Sequence, residues 1–176
     1  MDDKVRIVTA AQTPTAVVAE TTSWEEFLRV WRALLAEVWA FLRGSDLTTG
    51  RNVMLYKDDS PTVEVGVEVS GSFMGSGRVV PSSLPAGRAA VAVARGEPSP
   101  AKLAKVHTAV REWCAENGDA LSGVRWEIYG HWLEDQDPAL FETEVYWLVE
   151  PDPPDLEMGL DAAEPVALDG ERDSAP

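Results

Sequence analysis

A β-strand, a helix and two hairpin strands can be read along this chain, and then the same four elements again in the same order. A duplication of that kind restricts a chain to architectures built from two copies of one supersecondary unit. The first copy opens on the β-prone runs Val5–Thr9 and Ala16–Glu20, either one strand interrupted at Thr13-Pro14 or two. Ser23 then stands three residues before Glu26, the spacing of a capping box, and predicts a helix start. Trp24, Phe27, Leu28, Trp31, Leu34, Leu35 and Val38 recur at helical spacing behind it, with Glu25, Arg29 and Arg32 on the opposite face and Gly44 as the stop. A loop follows over 45–51, then a strand over Asn52–Tyr56, a turn at Lys57–Pro61, and a strand over Thr62–Ser70. Alternation in that last strand is strict: Val63, Val65, Val67 and Val69 face one way, Glu64, Gly66 and Glu68 the other.

The Gly- and Ser-rich stretch 71–84 reads as a connector with a short strand near Arg78–Val80, and then the order restarts. Gly87–Arg95 is rich in Ala and Val and predicts a strand. Ser99-Pro100 is an N-cap with proline at the first helical position, and the helix runs to about Asn117-Gly118 on a stripe of Leu103, Val106, Val110 and Cys114. Val124–Tyr129 and Glu142–Val149 close the second copy as a hairpin. Two local matches support the duplication. Tyr56 in MLYKDD stands where Tyr129 stands in WEIYG, and VEVGVEV aligns with TEVYWLV, which sets Glu64 against Glu144 and Gly66 against Tyr146.

The final hairpin holds the densest set of rings, with Trp126, Tyr129, Trp132, Tyr146 and Trp147 beside the carboxylates Glu127, Glu142 and Glu144. Alternation puts Glu142, Glu144, Tyr146 and Leu148 on one face, and Thr143, Val145, Trp147 and Val149 on the other. A strand face with both a carboxylate and a phenol is either a solvated outer face or the floor of a pocket.

The formal charge of −15 is divided between the segment from Pro151 onward, with eight acidic residues and Arg172, and residues 1–150 at −8. Such a balance argues against direct binding to nucleic acid, which needs Lys and Arg to displace counterions, and it favours cationic ligands. Residues 151–176 are dominated by proline, acid and small side chains and read as a disordered acidic tail, a solubility element with a protein-interaction role open to it. The lone Cys114 excludes an internal disulfide. Neither a signal-peptide pattern nor a membrane-length apolar run is present, so a cytoplasmic location is expected.

These pieces together resemble the GyrI-like, or AraC-type effector-binding, family of small-molecule-binding domains. The resemblance covers residues 5–150. It rests on LYKDD before VEVGVEV, on LPAGRAAVAVARG leading into the second helix, on RWEIYG and on TEVYWLV. It implies an α+β fold built from a duplicated strand-helix-strand-strand unit, repeats over about 5–70 and 87–150, with an antiparallel sheet that has two helices on one face and a ligand cleft on the other. Within that pattern Glu144 corresponds to the family's central acidic residue and Tyr56 to its strand tyrosine. Where the family often has Pro-Tyr after the strand's Arg-Gly, this chain has Gly96-Glu97-Pro98. A helix-turn-helix does not precede the domain, so the chain is not expected to act as a transcription factor by itself.

The expected ligand site is therefore a carboxylate, Glu144, in an aromatic cleft whose walls are Tyr56, Tyr129 and Tyr146, with Trp39 at an edge and Trp132 as either a lid or a surface ring. Rings would stack on a flat lipophilic compound and the carboxylate would pair with its charge. Trp24 and Trp31 lie on the apolar stripe of the first helix and read as core. His107 and His131 are isolated, without the spaced thiols or carboxylates of a metal site, and no cofactor signature appears, so neither a metal nor a cofactor is expected. Two classes of function fit. One is a module that senses or sequesters hydrophobic, often cationic, small molecules. The other, implied by the resemblance, is a hydrolase that adds water across the strained cyclopropane of DNA-alkylating natural products, with Glu144 and Tyr129 as catalytic groups. A third reading, also from the family, is an inhibitor-like contact with DNA gyrase.

Overall fold

Both helices begin at the serines that cap them. In the computed structural model, which describes residues 4–151, Ser23 Oγ accepts the Glu26 amide at 3.2 Å and Ser99 Oγ accepts the Lys102 amide at 3.3 Å. Helix α1 spans Trp24–Leu42 and α2 spans Pro100–Asn117. Gly118 ends α2 in the left-handed conformation (φ 76°), which spares it the penalty a side chain would meet there. α1 stops earlier than Gly44: Arg43 caps it, and the Gly44 amide returns to the Phe41 carbonyl at 3.1 Å.

Around the helices run eight strands: β1 (Arg6–Ala10), β2 (Thr13–Thr21), β3 (Thr48–Tyr56), β4 (Thr62–Ser70), β5 (Val79–Leu84), β6 (Gly87–Arg95), β7 (Leu121–Tyr129) and β8 (Glu142–Val149). The N-terminal run is thus two strands. The expected loop over 45–51 gives way to strand from Thr48, with a register irregularity between Thr49 and Asn52. All eight form one antiparallel sheet in the order β1-β6-β8-β7-β3-β4-β2-β5. The architecture is α+β. The units β2-α1-β3-β4 and β6-α2-β7-β8 repeat, and each extends its half-sheet with the strand that leads the other unit, β5 beside β2 and β1 beside β6. Pro81 sits in β5, at the sheet's edge, the place in a sheet where proline is tolerated.

Both helices pack on one face of the sheet. Phe27, Leu34, Val38 and Leu42 of α1 bury the Val63, Val65, Val67 and Val69 face of β4. Val106, Val110 and Cys114 of α2 bury Ala90, Ala92, Val145 and Trp147. Gly66 is on the reverse face of β4, where a Cβ would come within 2.0 Å of the Ala16 carbonyl oxygen, so the close approach of β2 and β4 requires glycine. The reverse face has its own core of Val53, Leu55, Trp126 and Ile128, and Tyr146 lies parallel on Trp126 with ring centroids 5.0 Å apart. Among the described residues no helix is long and apolar enough to cross a membrane. The expected acidic tail lies outside the described residues from position 152 onward.

Candidate functional site

The placement of the helices creates the site. α1 packs on β2, β4 and β5, and α2 on β6 and β8, so the two strands that join the halves, β3 and β7, have neither helix packed principally on them. Above that seam a cavity of about 1070 Å³ opens between the helices. It lies on the helix-bearing face. The expectation of a cleft on the opposite face is corrected accordingly: the space left between two helices, not the bare side of the sheet, forms the concavity.

Alternation along β3 and β7 decides the floor. Met54 and Tyr56 point up from β3, and Arg125, Glu127 and Tyr129 from β7, with Met54 opposite Glu127 and Tyr56 opposite Arg125 in the register. Trp126 and Ile128 point to the reverse core. The two tyrosines that correspond in the duplicated sequence meet here on one group. Tyr129 donates its hydroxyl to Glu127 Oε2 at 2.5 Å, and Tyr56 donates to the same oxygen at 3.0 Å. His107, from α2, reaches Glu127 Oε1 at 2.8 Å through Nε2. Its Nδ1 accepts the Trp147 indole N–H at 2.9 Å, which leaves the ring proton on Nε2 and makes it the donor to Glu127.

Glu127 is only 2% exposed. A carboxylate buried that far is costly unless its lone pairs are occupied, and three donors occupy three of its roughly four acceptor sites. The remaining site is on Oε1, the oxygen that has only the His107 bond. Burial, followed by the nearby Glu127 charge, pushes the Tyr56 and Tyr129 hydroxyls well above the ordinary phenol range, so at neutral pH both are protonated donors.

The walls are aromatic. Trp24, Phe27, Trp31 and Trp39 line the α1 side, with the Trp39 indole donating to Asn52 Oδ1 at 2.9 Å. Trp132 and Phe141 close one end from the β7–β8 connection, with their rings 5.5 Å apart. Five of the seven tryptophans, Trp24, Trp31, Trp39, Trp132 and Trp147, line the cavity, which makes indole fluorescence a direct reporter of its contents. Trp24 and Trp31, expected as core, are cavity walls.

Of the residues singled out in the sequence, Tyr56, Tyr129, Trp39 and Trp132 line this cavity and Glu144 and Tyr146 do not. Glu144 and Tyr146 alternate out of phase with Val145 and Trp147, which pack under α2, and so lie on the reverse face. There Tyr146 donates to Glu144 Oε2 at 2.8 Å and Arg51 approaches the same oxygen at 3.4 Å. Glu64, the residue that aligns with Glu144 in the repeat, is buried on that reverse face beside Lys57 and Ser82. The anchoring carboxylate is Glu127, two residues before Tyr129 on the same strand face. Strand alternation is the signal that could have found it, since it puts Glu127 with Tyr129 and opposite Trp126 and Ile128. His107 carried no signal in the sequence: an isolated histidine inside a helix becomes informative only once β7 and β8 are brought beneath it.

A family model described as the GyrI-like small molecule binding domain matches residues 3–150. No curated protein matches the sequence. Among solved structures, the C-terminal domain of EcmrR superposes with a TM-score of 0.71 at 18% identity, over 85% of this chain and 99% of that one. SAV2435, solved bound to tetraphenylphosphonium, gives 0.64 at 11% identity over 84% of this chain and 94% of that one. A structure described as a hydrolase from Listeria innocua gives 0.53 at 12% identity, over 84% and 92%. At these identities the superpositions speak to the fold.

Proposed function

The chain belongs to the GyrI-like small-molecule-binding domain family, and from that premise we propose that it binds a planar hydrophobic compound in the cavity between α1 and α2, for sensing or sequestration. One observation carries the proposal: a roughly 1070 Å³ aromatic-walled cavity whose floor presents a buried carboxylate with three internal donors and one acceptor site left over. The volume suits a compound of a few fused or linked rings. Trp24, Trp31 and Trp39 supply stacking faces on one side, Tyr56 and Tyr129 fix the floor, and Trp132 flanks the entrance. Glu127 replaces Glu144 as the proposed anchor, taking an N–H or O–H donor of the ligand at Oε1. SAV2435 with its bound tetraphenylphosphonium supports a cavity of this fold accepting bulky aromatic compounds.

The test is indole fluorescence of the full chain titrated with planar aromatic compounds, followed by mass spectrometry of the recovered compound. Saturable quenching, with the compound returned unchanged, is expected. Absence of quenching across neutral, anionic and cationic aromatics would overturn the proposal.

A second reading, hydrolysis, rests on the 2.5 Å contact between Tyr129 and Glu127. A water held at the remaining Glu127 acceptor site could give its proton to the carboxylate while its oxygen attacks a strained cyclopropane carbon. The carbon–carbon bond that breaks would pass its electron pair to a conjugated carbonyl oxygen, which Tyr129 would protonate as the proton taken up by Glu127 passes to Tyr129 through their hydrogen bond, so that carboxylate and phenol end as they began. A gain of one water in the recovered compound, lost in Glu127→Gln, would select this reading over binding alone.

A further inference from the structure

The charges on the cavity walls are unusual for a pocket meant only for cations. Arg125 is 8% exposed at its side chain and lines the cavity two residues before Glu127. Its guanidinium carbon lies 4.9 Å from the Trp147 ring centroid and 5.5 Å from those of Trp24 and Tyr56. The protein's own cation thus occupies the aromatic box where a ligand cation would gain most. Arg32 lies 5.1 Å over Trp31 and Arg111 lies 5.9 Å over Trp147, and both also line the cavity.

The hydrogen bonds of Arg125 are one-sided. Nη1 donates to the Gly123 carbonyl at 3.1 Å, to Asp59 Oδ1 at 3.2 Å and to the Asp58 carbonyl at 3.5 Å. Nε and Nη2, which hold three N–H groups between them, have no acceptor among the described residues. An arginine side chain only 8% exposed, set among three rings with its Nε and Nη2 edge unpaired, gains from an acceptor, and a planar oxyanion matches its fork. The acidic groups that also line the cavity do not meet this demand: Glu127 is occupied by Tyr56, Tyr129 and His107, Asp59 pairs with Nη1, and Glu97 makes no hydrogen bond or ion pair with Arg125.

Resting on the reading of the cavity as a small-molecule site, we infer that Arg125 is a specificity residue for an acidic oxygen, and that the ligand class is a planar aromatic compound with a carboxylate or phenolate. The oxyanion takes the open edge of Arg125, the rings lie between the α1 tryptophans and Trp147, and a donor group of the same compound can reach Glu127. A purely cationic aromatic would have to displace Arg125 from its rings or stack elsewhere.

Three probes of one shape separate this from the parent reading: 9-anthracenecarboxylate, neutral 9-methylanthracene and cationic 9-(aminomethyl)anthracene, titrated into the full chain by fluorescence. The carboxylate is expected to bind about tenfold more tightly than the neutral probe, the scale of one charge-assisted hydrogen bond. In Arg125→Gln that preference should vanish while the neutral probe loses no more than about threefold. A merely structural Arg125, pinning the turn at Asp58 and Asp59, would weaken all three probes alike. Asp59→Asn, which cuts that turn contact and leaves the guanidinium, should keep the carboxylate preference. Tightest binding of the cation by wild-type protein overturns the inference without any variant, as does equal binding of carboxylate and neutral probes; the cavity reading survives both. Failure of all three to bind overturns both.

Discussion

Tyr56→Phe offers a clean measurement of what the buried carboxylate demands. The substitution removes one hydroxyl and leaves a ring of the same shape, which keeps its contacts with Trp24 and Phe27 at centroid distances of 5.5 and 5.8 Å. Tyr56 is 6% exposed and Glu127 2%, so water cannot freely replace the 3.0 Å bond that is lost. A hydrogen bond to a charged group contributes about 1.5–3 kcal/mol, and Tyr129 and His107 still hold the carboxylate, so a loss of about 2 kcal/mol is expected. For a domain of this size that is roughly a 4–8 °C fall in Tm. The matched control is Tyr146→Phe. It deletes the same hydroxyl from the same kind of bond, 2.8 Å to Glu144, but the Glu144 side chain is 30% exposed and Arg51 stands beside it. Water and Arg51 can satisfy Glu144, so its loss should stay within about 0.5 kcal/mol. Urea denaturation of both variants, with m-values compared, reads the two numbers directly. If Tyr146→Phe costs as much as Tyr56→Phe, burial is not what sets the value of these bonds, and the account of Glu127 as a carboxylate held by internal donors fails.

Three further outcomes are expected. Because burial and Glu127 raise the Tyr56 and Tyr129 hydroxyls, their stabilising contribution is complete below the ordinary phenol value near pH 10 and is lost as pH rises beyond it; Tyr56→Phe and Tyr129→Phe should therefore flatten the alkaline fall in stability measured by circular dichroism, and an unchanged slope would contradict the assignment. His107→Leu leaves the Trp147 indole N–H and one Glu127 oxygen without partners, which should cost about 2–4 kcal/mol in urea and shift the indole emission, whereas a loss under about 0.5 kcal/mol would mean that the link from α2 to β7 and β8 is idle. Gly66→Ala forces a Cβ to within 2.0 Å of the Ala16 carbonyl oxygen, and a loss of about 3 kcal/mol is expected in the same assay; wild-type stability would show that β2 and β4 separate readily.

Residue order alone carried much of the architecture. The serine caps, the helical stripes and the alternation in β4 and β8 are local patterns, and local patterns are written in neighbouring residues. The repeat of those patterns announced two copies of one unit, and the pairing of Tyr56 with Tyr129 survived into space as two donors on one oxygen. What the sequence did not hold was which face of each strand the helices would cover. Val145 and Trp147 against Glu144 and Tyr146 is a choice between two alternating sets that both contain apolar and aromatic residues, and period-two reasoning is silent about it. Tertiary packing made that choice. With α2 over Val145 and Trp147, Glu144 was carried to the reverse face, and with the helices set apart above β3 and β7, Glu127 became the floor of a cavity. His107 and Arg125 owe their roles to the same event: each is unremarkable among its sequence neighbours, and gains a carboxylate or an aromatic box only when strands distant in the chain are placed side by side.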